Sequence, residues 1–219
     1  MKRTLACILL LSLIFATASA AMAAATDPTG AWSIKTTTKS IKPDKKALKA
    51  LNQATKEHDG YDITALALLG TQPVNGTNYC FLCHGSTVTL KKNASLCLVY
   101  VYAPRTGKAE ITGIVELKLK KAPSGGWKLS KNRNETACTE KAKKALKAAT
   151  SDLTGATYKP LALVARGKTG DSDYCLLCRC TFSDRSATKS LCLVSVGKSS
   201  KGVYKVRDVS ELDIVKLAP

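Results

Sequence analysis

Two pairs of cysteines, Cys80-Phe81-Leu82-Cys83 and Cys175-Leu176-Leu177-Cys178, have the residue type and spacing for chemistry. Three kinds are open to them: thiol redox exchange, zinc ligation and disulfide bonding. Redox pairs of this spacing open a helix, whose N-terminus depresses the thiol pKa, whereas these lie in apolar, strand-like runs. Zinc needs a turn between its cysteines, because residues three apart on a strand face opposite sides and cannot grip one ion. The expectation is stapling, with no metal site. Neighbouring antiparallel strands bring opposed α-carbons into disulfide range, which favours Cys83 with Cys97 and, in the same pattern, Cys178 with Cys192. Cys80 with Cys97 is the alternative. Cys138 and Cys180 can pair with each other, leaving Cys80 and Cys175 free or joining the first part of the chain to the second.

The remaining reactive groups are sparse. His58 and His84 are the two histidines, and His84 directly follows Cys83, so a strand sends the two side chains to opposite faces and denies them a Cys-His nucleophile. No serine triad or phosphate loop is evident, and the carboxylates show no recognisable catalytic arrangement. Neither an enzyme nor a cofactor is expected.

The elements that carry these cysteines occur twice. Tyr79, Cys80, Leu82, Cys83 and Cys97 recur, at one constant offset, as Tyr174, Cys175, Leu177, Cys178 and Cys192. Trp32 recurs as Trp127, Gly60 as Gly155, Leu66-Ala67-Leu68 as Leu161-Ala162-Leu163, and Glu116-Leu117 as Glu211-Leu212. A repeat this long is a duplicated compact unit and not a solenoid element. Copy one spans 30–119, 120–124 is the linker and copy two spans 125–219. In copy one, Gly30 to Ile34 suits a first strand. A helix then follows Pro43, capped by Asp44 and apolar at Ala47, Leu48, Leu51 and Ala54. Copy two has a helix after Thr139 with the stripe Ala142, Ala145, Leu146 and Ala149. The runs Ile63–Leu69, Thr77–Cys83, Leu96–Tyr102 and Ala109–Leu117 read as four antiparallel strands joined by turns at 72–76, 91–93 and 104–107. Each copy is therefore an α+β unit, one helix packed on a four- to five-stranded antiparallel sheet.

Residues 1–23 combine Lys2 and Arg3, an apolar run from Leu5 to Phe15 and small residues at Ala18-Ser19-Ala20 and Ala21-Met22-Ala23, the pattern of a cleaved signal peptide. The expected destination is secreted, extracellular or periplasmic, where thiols oxidise, with no membrane span in the mature chain. Cys7 leaves with the leader, and an even number of the nine cysteines remains. The formal charge of +18 is compatible with an anionic surface polymer. Lysines outnumber arginines and aromatics make up only 5% of the chain, so no specific nucleic-acid recognition is expected.

One turn carries a further pattern. Leu69-Gly70-Thr71-Gln72-Pro73-Val74-Asn75-Gly76-Thr77-Asn78-Tyr79 contains Gln-x-Val-x-Gly, and it follows a glycine, a strand and a helix in that order. This resembles the cystatins, inhibitors of papain-like cysteine proteases, and the resemblance covers most of copy one. It implies two tandem cystatin-like domains and a reversible, non-covalent wedge in the protease cleft. The wedge would be Gly30, the hairpin Gln72, Pro73, Val74, Asn75 and Gly76, and the later turn from Pro104 to Gly107. Many cystatins place a tryptophan after the proline of that later turn, where this chain has Arg105. Copy two has Gly167, Thr169 and Asp171 where the motif would stand and lacks the wedge. The alternative function is a non-inhibitory extracellular binding module that offers a basic surface to an envelope polymer or a protein. Asn75, Asn93 and Asn134 stand in glycosylation sequons, and a glycan on Asn75 would cover the wedge.

Overall fold

A computed structural model describes residues 30–56, 58, 61–87, 94–120, 123, 125–170, 172–183 and 189–218. The expected signal peptide, Gly60, the turn at 91–93 and Asp171 lie outside the described residues, as does the 120–124 linker apart from Lys120 and Pro123.

The described residues form two five-stranded antiparallel sheets and two α-helices, a mixed α+β architecture in which each sheet is drawn from one copy. The first sheet contains β1 (Ser33–Ile34), β2 (Tyr61–Val74), β3 (Gly76–Thr87), β4 (Ala94–Pro104) and β5 (Glu110–Leu117), in chain order across the sheet. Helix α1 (Lys45–Thr55) interrupts the run between β1 and β2. The second sheet repeats the plan with β6 (Trp127–Leu129), α2 (Glu140–Thr150), β7 (Ala156–Gly167), β8 (Tyr174–Phe182), β9 (Lys189–Lys198) and β10 (Tyr204–Glu211). Both helices start where a side-chain oxygen can satisfy an orphan amide: Asp44 Oδ1 accepts from the Ala47 N–H at 2.7 Å, and Thr139 Oγ1 from the Ala142 N–H at 3.3 Å.

Period-two alternation divides each central strand between two cores. Tyr79, Phe81 and Cys83 of β3 face α1, where Ala47, Ala50, Leu51 and Ala54 pack on them; Leu48 is only partly buried. Cys80 and Leu82 face the other way, into a core shared with copy two. That shared core takes Leu66, Ala67, Leu82, Leu96 and Leu98 from one sheet and their repeat equivalents Leu161, Ala162, Leu177, Leu191 and Leu193 from the other. In copy two, Ala142, Ala145 and Leu146 of α2 pack on Leu176, Cys178 and Val194, with Ala149 at the margin. The molecule is a four-layer sandwich, helix, sheet, sheet, helix, in which the copies meet through matching faces. The turn after β10 approaches the first sheet closely at one point. A Cβ on Gly70 would lie 2.5 Å from Ile214 Cδ1, and the Tyr100 hydroxyl donates to the Ile214 carbonyl at 2.8 Å.

The disulfide expectation needs correction. The structure joins Cys180 to Cys192. Cys83, Cys97, Cys138 and Cys178 are thiols, as are Cys80 and Cys175. The opposed pairs Cys83–Cys97 and Cys178–Cys192 do stand in register on neighbouring strands. Cys180 is opposed to Ser190, so it reaches Cys192 diagonally along one face and occupies the partner expected for Cys178 and the one expected for Cys138. Cys80 and Cys97 lie in different cores, on opposite faces of the sheet, and cannot meet.

Candidate functional site

Strands β2 and β3 run further than their apolar segments, because Gln72 pairs with Asn78, Pro73 with Thr77 and Val74 with Gly76. The hairpin therefore turns on Asn75 alone, with Gln72 and Pro73 inside the strand and not in a wider turn. Such a turn demands a backbone that few residues adopt, and Gly76 supplies it at φ +134°. A Cβ there would also meet the Ala103 carbonyl oxygen at 2.3 Å, so both conformation and space require glycine. The hairpin is braced by side chains: Asn78 Nδ2 donates to Gln72 Oε1 at 2.8 Å, and the Tyr102 hydroxyl donates to the Asn75 carbonyl at 2.6 Å.

The other two segments singled out in the sequence lie beside it. The Gly30 amide donates to the Pro73 carbonyl at 2.8 Å, and a Cβ on Gly30 would lie 2.8 Å from Pro73 Cγ. Gly76 is in register with Pro104, which places the β4–β5 turn next to the hairpin. Gly30, Gln72 to Gly76 and Pro104 thus share one end of the first sheet. Pro73 and Asn75 are exposed at the tip, Gln72 and Val74 are half-buried, and Arg105, Thr106 and Gly107 are exposed alongside. This edge offers an apolar and amide contact surface with no ionisable group in the hairpin itself.

The matching end of copy two is built differently. Arg207 Nη2 lies 2.7 Å from Asp173 Oδ1, and the carboxylate side chain is only 8% exposed. The Asp173 carbonyl accepts the Gly167 amide, and Lys168 N–H donates to the Gly126 carbonyl. Gly197 is obligatory beneath the pair, since a Cβ there would lie 2.0 Å from Asp173 Oδ1. Sequence reasoning missed this ion pair and the Tyr102 brace, because both join residues whose register depends on turn lengths that no local pattern specifies.

A third feature arises where the copies meet. A cavity of about 590 Å³ lies between Ile41, Pro43 and Leu66 of copy one and Ala137, Cys138, Pro160 and Leu161 of copy two, with Lys42, Arg133 and Lys143 around it. His84 lies near the same boundary; burial, with the Lys131 ammonium adding to it, holds its pKa below the ordinary value. The fully buried thiols of Cys80, Cys97 and Cys175 are unsuited to nucleophilic work. Burial pushes Cys80 up to about 12, Cys97 up to about 11 and Cys175 up to about 12. Among the described residues no cluster of His, Cys, Asp and Glu could hold a metal ion, and no helix is long and apolar enough to cross a membrane. Compared with known proteins, the chain matches no family model and no curated protein at a significant level.

Proposed function

We propose that the chain is an exported, reversible inhibitor of papain-like cysteine proteases, acting non-covalently through the hairpin end of copy one. The observation that carries this reading is the convergence of Gly30, the Gln72–Gly76 hairpin and the Pro104–Gly107 turn on one edge of a sheet. Strand, helix and four-stranded meander follow one another in copy one as they do in the cystatins, which the Gln-x-Val-x-Gly pattern resembles. A wedge held by the sheet, by Tyr102 and by the Gly30–Pro73 contact loses little conformational entropy on entering a cleft. Val74 and Pro73 supply apolar contact, and Asn75 and Gly76 supply backbone groups. Arg105 stands where a large apolar anchor would contribute most, so affinity is expected to be modest.

The test is inhibition of papain by the purified oxidised chain. Val74→Asp would carry an unpaired charge into an apolar cleft and should weaken inhibition about 30-fold, roughly 2 kcal/mol. Arg105→Trp should strengthen it about tenfold. A folded wild-type chain that leaves papain uninhibited at micromolar concentration would sink the proposal.

A second reading has one observation in its favour. Both outer layers of the sandwich are lysine-rich helices, with Lys45, Lys46 and Lys49 on α1 and Lys141, Lys143, Lys144 and Lys147 on α2. Those faces suit a polyanionic envelope polymer, whose binding would weaken steeply as salt is raised.

A further inference from the structure

Copy two carries two cysteines that copy one lacks. At the position of Cys138, the first copy has Pro43, and at that of Cys180 it has Gly85. Cys180 is bonded to Cys192 on the helix-facing side of the second sheet. Cys178 lies in that same core, and Cys138, in the segment leading into α2, packs against it. Pro160, the cross-strand partner of Cys178, lines the same cavity as Cys138. Both cysteines belong to the helix-facing core of the second sheet, so they approach from one side of it.

We propose that Cys138 and Cys178 form a second disulfide in copy two, tying the approach to α2 onto the central strand β8. Of the remaining thiols, Cys80 and Cys175 face the shared core in opposite sheets. Each has a hydroxyl neighbour, Tyr100 for Cys80 and Ser195 for Cys175. α1 buries Ala47, Ala50, Leu51 and Ala54, and α2 buries Ala142, Ala145 and Leu146; a bond at Cys138 would add a covalent anchor just ahead of α2.

The reaction uses an external disulfide such as oxidised glutathione. The thiolate of Cys138, half-exposed at the cavity, attacks one glutathione sulfur to give a mixed disulfide and releases one reduced glutathione. Cys178 then displaces the second glutathione, so two protein thiols are oxidised and one glutathione disulfide becomes two thiols. Burial pushes the Cys138 thiol up to about 11, and the Cys178 thiol is also raised, by burial first and by Cys138 next. Bond formation should therefore be slow near neutral pH and quicken toward pH 9.

Trypsin makes the assignment readable because Arg179 separates Cys178 from Cys180. The purified chain would be incubated with oxidised glutathione at pH 9, alkylated under denaturing conditions and digested without reduction. The expected products are peptide 134–141 linked to 169–179 through Cys178, with Cys175 alkylated, beside 180–185 linked to 190–198. Recovery of Cys138 and Cys178 as alkylated thiols, or of Cys178 joined to Cys192, would overturn the proposal. As a second arm, Cys138→Ser should leave Cys178 fully alkylated while the 180–185 to 190–198 link persists; a Cys178 still bonded in that variant would also overturn it.

Discussion

The two hairpin ends of this molecule began as one design and now use their residues in different ways. In copy one the end is a bare tip, braced from behind by Tyr102 and Asn78 and open at Pro73 and Asn75. In copy two the corresponding end is occupied by the Asp173–Arg207 pair and by backbone bonds that close Gly167 and Lys168 onto their own neighbours. A tip that serves a partner must keep contact groups unspent, whereas a tip that serves the fold consumes them internally. On the proposed function, copy two supplies the counter-sheet and copy one the contact surface.

The largest effects should come from the face that the copies share. Leu82→Ala and Leu177→Ala remove equivalent, fully buried side chains and should each cost about 4 kcal/mol, measured by urea denaturation. Equal costs with a single transition would mean that the halves unfold together. A selective loss of one half's signal would show that the sandwich is less coupled than its shared core suggests. Next comes Arg207→Ala, which strands the buried Asp173 carboxylate. A loss of about 3 kcal/mol is expected, toward the lower end for a buried pair because the guanidinium is partly in water. The same variant should leave papain inhibition unchanged, separating the structural end from the contact end. Tyr102→Phe removes one hydrogen bond to Asn75 and should lower stability by about 1 kcal/mol while weakening inhibition several-fold. The smallest effect concerns His84, which copy two replaces with Arg179. Its folded pKa lies below the unfolded value near 6.5, so the unfolded chain binds more protons in that window. Stability should hold above that pH, decline as pH falls through it, and decline less in His84→Gln.

The helices, the meander and the repeat were legible because they rest on local signals. Asp44 caps at the expected place, and the runs from Ile63, Thr77 and Leu96 fall within observed strands, whereas the run from Ala109 starts one residue before β5 and the first strand narrows from Gly30–Ile34 to Ser33–Ile34. The packing of one copy on the other was not read, although a trace of it was present. Ala65 to Gly70 and Cys80 to Cys83 are buried without interruption, as strands covered on both faces must be, while edge strand β5 alternates along its length. The uninterrupted apolar runs marked a sheet covered twice, but a sequence does not name the second cover. The site was legible in part. Gln72 to Gly76 stand out as a pattern, whereas the contact with Gly30 and the bracing by Tyr102 depend on register. Disulfide partners were the least legible. Cys178 and Cys180 share a face, and a choice between diagonal and opposed pairing turns on side-chain rotation that spacing does not encode.

Joining the two sheets by one polypeptide has a consequence for behaviour on dilution. The shared face draws mostly on equivalent positions of the two copies, much as the interface of a twofold dimer does, and such a dimer would come apart at low concentration. Here the partner face is tethered, so its effective concentration is set by chain length and not by how much protein is present. The melting temperature should therefore be the same at nanomolar as at micromolar protein. Freed from having to match an identical copy, each face can drift separately, one toward contact and the other toward support.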